Sequence, residues 1–187
     1  MPLIRLRSLV VQAVVAGAAA ACASAGPRPS PPPGVTVASM TVTSRSFVAK
    51  GSIPIDHTCG GKNVSPQLSW SAPPAGTRAL AIELEDLDAS HAGFTHWLVI
   101  DLPPDVTQLA EGVDASSVHA VLGLNDFPDT RYDGPCPPHG EVHRYLFKVF
   151  ALDAALGLHE GVARAAVDAA MSGHVLGEGQ LLATFAN

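Results

Sequence analysis

The chain has 187 residues, a formal charge of −6 and only 11 lysines and arginines against 17 acids. No basic cluster lies beyond the extreme N-terminus, which argues against a nucleic-acid partner held through a positive patch. With 17 glycines and 16 prolines, the composition favours many short elements joined by turns over a helical bundle.

Residues 1–25 read as a signal peptide or a lipoprotein signal. Arg5 and Arg7 precede a short apolar run that ends in small residues, the pattern of an export leader. The run is too short and too alanine-rich for a membrane span. Ala21-Cys22-Ala23 and Ala23-Ser24-Ala25 both fit a cleavage site, while AAAC offers Cys22 as a lipidation site that would tether the chain to a membrane. The expected location is therefore periplasmic or extracellular. Residues 26–35 form a proline-rich linker, a semi-rigid spacer ahead of one domain at 36–187. Export would leave Cys59 and Cys136 in an oxidising compartment as an even pair, so a disulfide between them is a candidate.

Within the domain, VTVASMTVTSRSF predicts one or two strands, and SPQLSW follows a Gly-Gly turn. ALAIELEDLDAS is a strand of clear period two, placing Leu80, Ile82, Leu84 and Asp86 on one face and Ala81, Glu83 and Glu85 on the other. HWLVIDLPP is a second strand, with His96 on the face of Leu98 and Ile100. The stiff loop GPCPPHG leads into a third, HRYLFKVFALD, whose His143, Tyr145, Phe147 and Val149 share a face. Arg144 points to the opposite face and reads as structural. EGVARAAVDAAMSGH is the helix candidate, with Val162, Ala165, Ala166 and Ala169 at helical spacing, and GEGQLLATFAN returns as a last strand. Mostly β with one or two peripheral helices suits an antiparallel β-sandwich.

Three strands thus begin or end in polar groups: Asp86 with Asp88, His96, and His143 with Tyr145. A carboxylate orients an imidazole by accepting one N–H and leaves its other nitrogen for a ligand. A protonated imidazole and a tyrosine hydroxyl would make an anion socket, walled by the proline loop. A lone strand histidine is usually structural, and His91, His119, His159 and His174 read as surface or turn residues. Two other chemistries are open. Cys136 with His143, oriented by Asp86 or Asp88, would suit a cysteine hydrolase, although the prolines supply no N–H for an oxyanion hole. His57, Cys59, His96, Cys136, His139 and His143 are zinc-compatible, without the close spacing of a zinc motif.

EDLDASHAGFTHWLVIDLPP and NDFPDTRYDGPCPPHGEVHRYLFKVFALD resemble the phosphatidylethanolamine-binding protein family, in its bacterial Raf kinase inhibitor-like branch. TCGGKNVSPQLSWSAPPAGTRALAIELED and AAMSGHVLGEGQLLATF fit the same branch, so the resemblance spans about residues 45–185. It implies a β-sandwich with a small pocket for phosphate, phosphorylethanolamine or a similar anion, and no enzymatic activity or cofactor. The matching pocket positions are Asp86, Asp88, His96, Gly134, Pro135, Pro137, Pro138, His143 and Tyr145. The family name also implies phospholipid headgroups and inhibition or regulation of a protein partner. An exported chain would not meet a cytosolic kinase, and its acidity opposes strong attraction to anionic membranes. Where the family has Asp-Pro-Asp-Ala-Pro this chain has DLDAS, with Leu87 and Ser90 replacing both prolines. Phe94 and Thr95 precede His96 where aromatic or histidine residues often stand.

Overall fold

A computed structural model describes residues 36–90 and 93–187. The leader at 1–25 with Cys22, the linker at 26–35, and His91 lie outside the described residues. The three long strands of the sequence reading form as β3 (Ala79–Asp86), β4 (Phe94–Leu102) and β7 (Val142–Leu152). β1 (Ala38–Thr43), β2 (Leu68–Trp70), β5 (Gln108–Leu109), β6 (Val121–Leu122) and β8 (Val175–Ala186) complete the β structure.

These strands join in one eight-stranded sheet of order β5-β2-β1-β8-β7-β3-β4-β6. It curls into a half-barrel, which corrects the expected sandwich of separate sheets. The sheet is also not wholly antiparallel, because β1 runs parallel to β8. β7 lies between β3 and β8 along nearly its whole length. That central position explains its burial on both faces.

Two apolar clusters follow from the period-two alternation. One face gathers Leu80, Ile82, Leu84, Tyr145, Phe147 and Val149 with Trp70 and Trp97. The other carries Ala81, Leu98, Ile100, Phe150 and Leu152 against Val162, Val167 and Met171. Each fully buried aliphatic or aromatic side chain here contributes about 1.5–3 kcal/mol relative to exposure.

The only α-helix among the described residues is α1 (Arg164–Met171). Its buried residues are Val167 and Met171, whereas Ala165, Ala166 and Ala169 are exposed. The alanine stripe expected from the sequence is therefore on the wrong side. Residues one turn apart on either side satisfy the same spacing, and the larger Val and Met side chains have more surface to remove from water.

β4 contains the irregularity that matters most. Glu85 faces Thr95 and Leu84 faces Trp97, so β4 carries one extra residue, His96, at a β-bulge. The bulge reverses the alternation, so that His96 does not share the face of Leu98 and Ile100. Instead it turns toward Tyr145, with ring centroids 5.4 Å apart. This corrects the parity reading of the sequence, and it is what delivers His96 to Asp86.

Candidate functional site

Asp86 ends β3 and is buried. Its Oδ1 accepts the Asp88 N–H at 2.8 Å and the Ala89 N–H at 3.1 Å. The turn that lacks the family's prolines is thus closed by the carboxylate itself, a local side-chain turn. Asp86 Oδ2 is free to face inward. It lies 2.7 Å from His143 Nδ1 and 3.9 Å from His96 Nε2.

The two imidazoles have opposite environments. His96 Nδ1 donates to the Asp133 backbone carbonyl at 2.7 Å. Burial lowers the His96 pKa, and the bond to Asp133 and the charge of Asp86 offset it only partly. The ring is neutral near pH 7, and its Nε2 presents a lone pair. His143 is also desolvated, but its hydrogen bonds to Asp86 and Glu141 and their charges outweigh that, raising its pKa. Its Nε2 lies 3.1 Å from Glu141 Oε2.

These opposed shifts have a sign in stability. The folded pKa of His143 is raised, so its contribution is complete below the unfolded value of about 6.5 and is lost as pH rises through the folded value. The folded pKa of His96 is lowered, so its contribution is lost as pH falls below about 6.5. Urea midpoints measured across this range should therefore fall on both sides. His143→Gln should flatten the alkaline limb alone, and an unchanged alkaline limb would remove His143 as its source.

Asp88 and Arg144 form an outer clamp. Arg144 Nε and its backbone N–H both donate to Asp88 Oδ2, at 2.9 and 2.8 Å, and Nη2 donates to Oδ1 at 2.6 Å. The side-chain hydrogen bonds from Arg144 hold the Asp88 carboxyl down at about 2. Asp88 lines the cleft, yet most of its acceptor capacity is spent on Arg144.

The wall comes from loops. Asn125 Oδ1 accepts the N–H groups of Phe127 and Asp129, and its amide donates to Asp133 Oδ2 at 2.8 Å. That brace sets Phe127 against Phe94 and His96, with centroids 5.0 and 5.4 Å apart. Across the cleft, residues 132–138 rest on the turn around Ile55–His57. Tyr132 Oη donates to the His57 carbonyl at 2.7 Å, and the Gly134 N–H donates to Asn63 Oδ1 at 2.7 Å. A Cβ on Gly134 would fall 2.2 Å from the His57 carbonyl oxygen, so only glycine permits this approach. A disulfide joins Cys59 and Cys136, whose Cα atoms are 5.4 Å apart.

The result is a cleft of about 400 Å³. Asp86, Asp88, His96, Pro138 and His143 line it, together with Cys136, Phe94, Phe127 and Glu141. Gly134, Pro135 and Pro137 do not. They are buried behind the wall, where the Pro135 carbonyl accepts from Cys59 N–H and the Pro137 carbonyl from Asn187. Tyr145 is fully buried beneath. Its hydroxyl has no hydrogen-bond partner of good geometry although it lies near Asp86. Burial, and then the Asp86 charge, push the phenol far above its usual range, so it stays a donor.

Phe127, Glu141, Asn125 and Asp133 were absent from the sequence-derived site. Glu141 was within reach of the pattern, since it stands two residues before His143 and so shares its face in an extended chain. The other two chemistries lose their footing. Cys136 is bonded to Cys59 and offers no thiolate to a hydrolase. For zinc, His57 Nδ1 is engaged by the Val64 carbonyl, both sulfurs are bonded to each other, and His139 is exposed. Among the described residues no three candidate ligands converge.

Fold and cleft together define a curled-sheet protein with a carboxylate–imidazole pocket at its strand ends. The phosphatidylethanolamine-binding protein family model matches residues 43–186, and the chain belongs to that family. A UPF0098 protein of Methanothermobacter thermautotrophicus is 43% identical over 149 residues, covering 78% of this chain and 98% of that protein. UPF0098 protein YbhB of Escherichia coli is 38% identical over 131 residues, covering 67% and 83%. Among solved structures, the homologue CT736 of Chlamydia trachomatis has a TM-score of 0.74 at 36% identity, covering 80% of this chain and 98% of that one. YbcL of Escherichia coli, described as a new member of the mammalian family, has a TM-score of 0.73 at 29% identity, covering 79% and 98%.

Proposed function

We propose that this chain is an exported, non-enzymatic binding protein whose cleft takes a small phosphate-like anion, phosphorylethanolamine or a close analogue, and through it regulates a protein partner. The observation that carries the reading is the Glu141 carboxylate on His143 Nε2. The Glu141 side chain is 58% exposed, so it can swing into solvent and leave an imidazolium N–H facing the cleft. An anion of the ligand would take the place of an internal one. The Tyr145 hydroxyl lies enclosed beneath the cleft near Asp86 and supports the pocket floor. Membership of a family named for a phospholipid headgroup points the same way.

Export rests on the leader-like residues 1–25, and a disulfide suits an oxidising compartment. The non-enzymatic reading rests on the absence of an activated nucleophile. Among the described residues, no hydroxyl or thiol lining the cleft is hydrogen-bonded to an imidazole.

Calorimetric titration with phosphorylethanolamine and with inorganic phosphate at low salt should show one site. His96→Ala should weaken binding at least about tenfold, and Glu141→Ala should tighten it about fivefold by removing the internal competitor. No heat with either ligand would end the proposal. Unfolding of His96→Ala, in place of selective loss, would assign that ring to packing.

A further inference from the structure

We infer that the cleft selects phosphate monoesters over phosphate diesters and sulfate, because the ligand must supply an acidic proton to His96 Nε2 and Asp86 Oδ2. This rests on the anion-binding reading above and names the ligand class within it.

The argument begins with the His96 tautomer. A backbone carbonyl can only accept, so the 2.7 Å contact with Asp133 O fixes the proton on Nδ1. Asp133 cannot easily move away. Its N–H donates to the His96 carbonyl at 3.1 Å, and its carboxylate is held by Asn63, Asn125 and Arg131. The neutral ring therefore turns a bare Nε2 lone pair toward Asp86.

Asp86 Oδ2 is the second acceptor. It takes the His143 Nδ1–H and retains a further lone pair. At 3.9 Å the two acceptors are too far apart to share a proton between themselves. They are close enough for one ligand oxygen to sit against both. An oxygen that carries a proton satisfies one acceptor there, while a bare oxyanion meets two lone pairs and a negative charge. An unmatched contact of that kind is what makes polar sites discriminate strongly.

The surroundings do not relieve this. His143 and Tyr145 face the pair from β7, Glu141 from the loop just before it, and Asp88 comes from the turn already neutralised by Arg144. Asp133, paired with Arg131, approaches from the loop. The donor that faces the other oxygens of the ligand is His143 Nε2–H, while the Tyr145 O–H stays enclosed beneath the cleft floor.

A phosphate monoester loses its second proton near about pH 6. Close to neutrality a sizeable fraction still carries a P–OH. A diester, as in an intact phospholipid headgroup, has no such proton, and neither does sulfate. The chemistry therefore favours a free phosphomonoester over an intact lipid as the source of the headgroup.

The test is calorimetry on the full chain at about pH 6 and low salt. Four probes are compared: phosphorylethanolamine, glycerophosphorylethanolamine, inorganic phosphate and sulfate. The monoester and phosphate should bind at least about 30-fold more tightly than the diester and sulfate. Asp86→Asn keeps an oxygen for the Asp88 and Ala89 N–H groups but turns the inward acceptor into a donor. Its selectivity should collapse to within about threefold, with circular dichroism verifying the fold. Comparable wild-type binding of all four probes overturns the selectivity and leaves the anion pocket standing. Binding of none overturns both.

Discussion

Lys148→Met should lower stability by about 3–5 kcal/mol, the cost of removing one partner from a buried charge cluster. Lys148 is fully buried in the middle of β7. Its ammonium lies 3.3 Å from Glu83 Oε2 and in closer contact with Glu85 Oε2. Both acids point from β3 to the face opposite Asp86, and both are buried. Arg164 of α1 reaches in from above, with Nη2 2.7 Å from Glu83 Oε1 and Nη1 3.1 Å from Thr95 Oγ1. Two buried carboxylates face one lysine and one arginine, the arginine also lying 3.5 Å from Asp168, and the variant removes the fully buried cation. For a domain of this size that loss corresponds to a fall in Tm of about 10 °C. Thermal and urea unfolding measure it directly. A change below about 1 kcal/mol would mean that solvent reaches the cluster and screens it. Replacing Glu83, Glu85 and Lys148 together by apolar residues should restore much of the loss, since a well-packed apolar substitute is often as stable as the ions. The cluster also braces the cleft from behind, because Glu85 precedes Asp86 and faces Thr95 next to His96.

Much of the cleft was legible because the strands that carry it are long and alternate cleanly. Leu80, Ile82, Leu84 and Asp86 share one face as their spacing requires, and so do Tyr145, Phe147 and Val149. The three polar strand ends do converge. His96 was placed on the wrong face because one extra residue in β4 reverses the alternation, and a bulge leaves no local mark in the sequence. The curl of the sheet, and the parallel pairing of β1 with β8, depend on contacts between residues over a hundred positions apart. Local patterning does not encode those. The brace behind His96 was partly hidden in the same way, since it joins Asn63 to Asn125 and Asp133 of the loop between β6 and β7, with 70 residues from Asn63 to Asp133. Of the proline-loop positions expected at the pocket, only Pro138 lines the cleft. The loop residues alternate, with Cys136 and Pro138 toward the cleft and Pro135 and Pro137 toward the interior.

Replacing Cys59 and Cys136 together by alanine should cost about 2–4 kcal/mol of stability while changing the affinity for phosphorylethanolamine less than about threefold. The bond spans 77 residues of sequence, and closing so long a loop restrains the unfolded chain far more than the native one. In the native state the loop has other ties to the same turn. Tyr132 Oη holds the His57 carbonyl, Gly134 N–H holds Asn63, and Cys59 N–H holds the Pro135 carbonyl at 3.1 Å. None of these needs the sulfurs. Cys136 does line the cleft, so the two quantities can be separated by measuring unfolding and binding on the same variant. Loss of affinity in proportion to loss of stability would show that the bond itself shapes the wall. Loss of stability alone would place its effect in the unfolded chain and leave the positioning of the wall to Tyr132, Gly134 and Asn63.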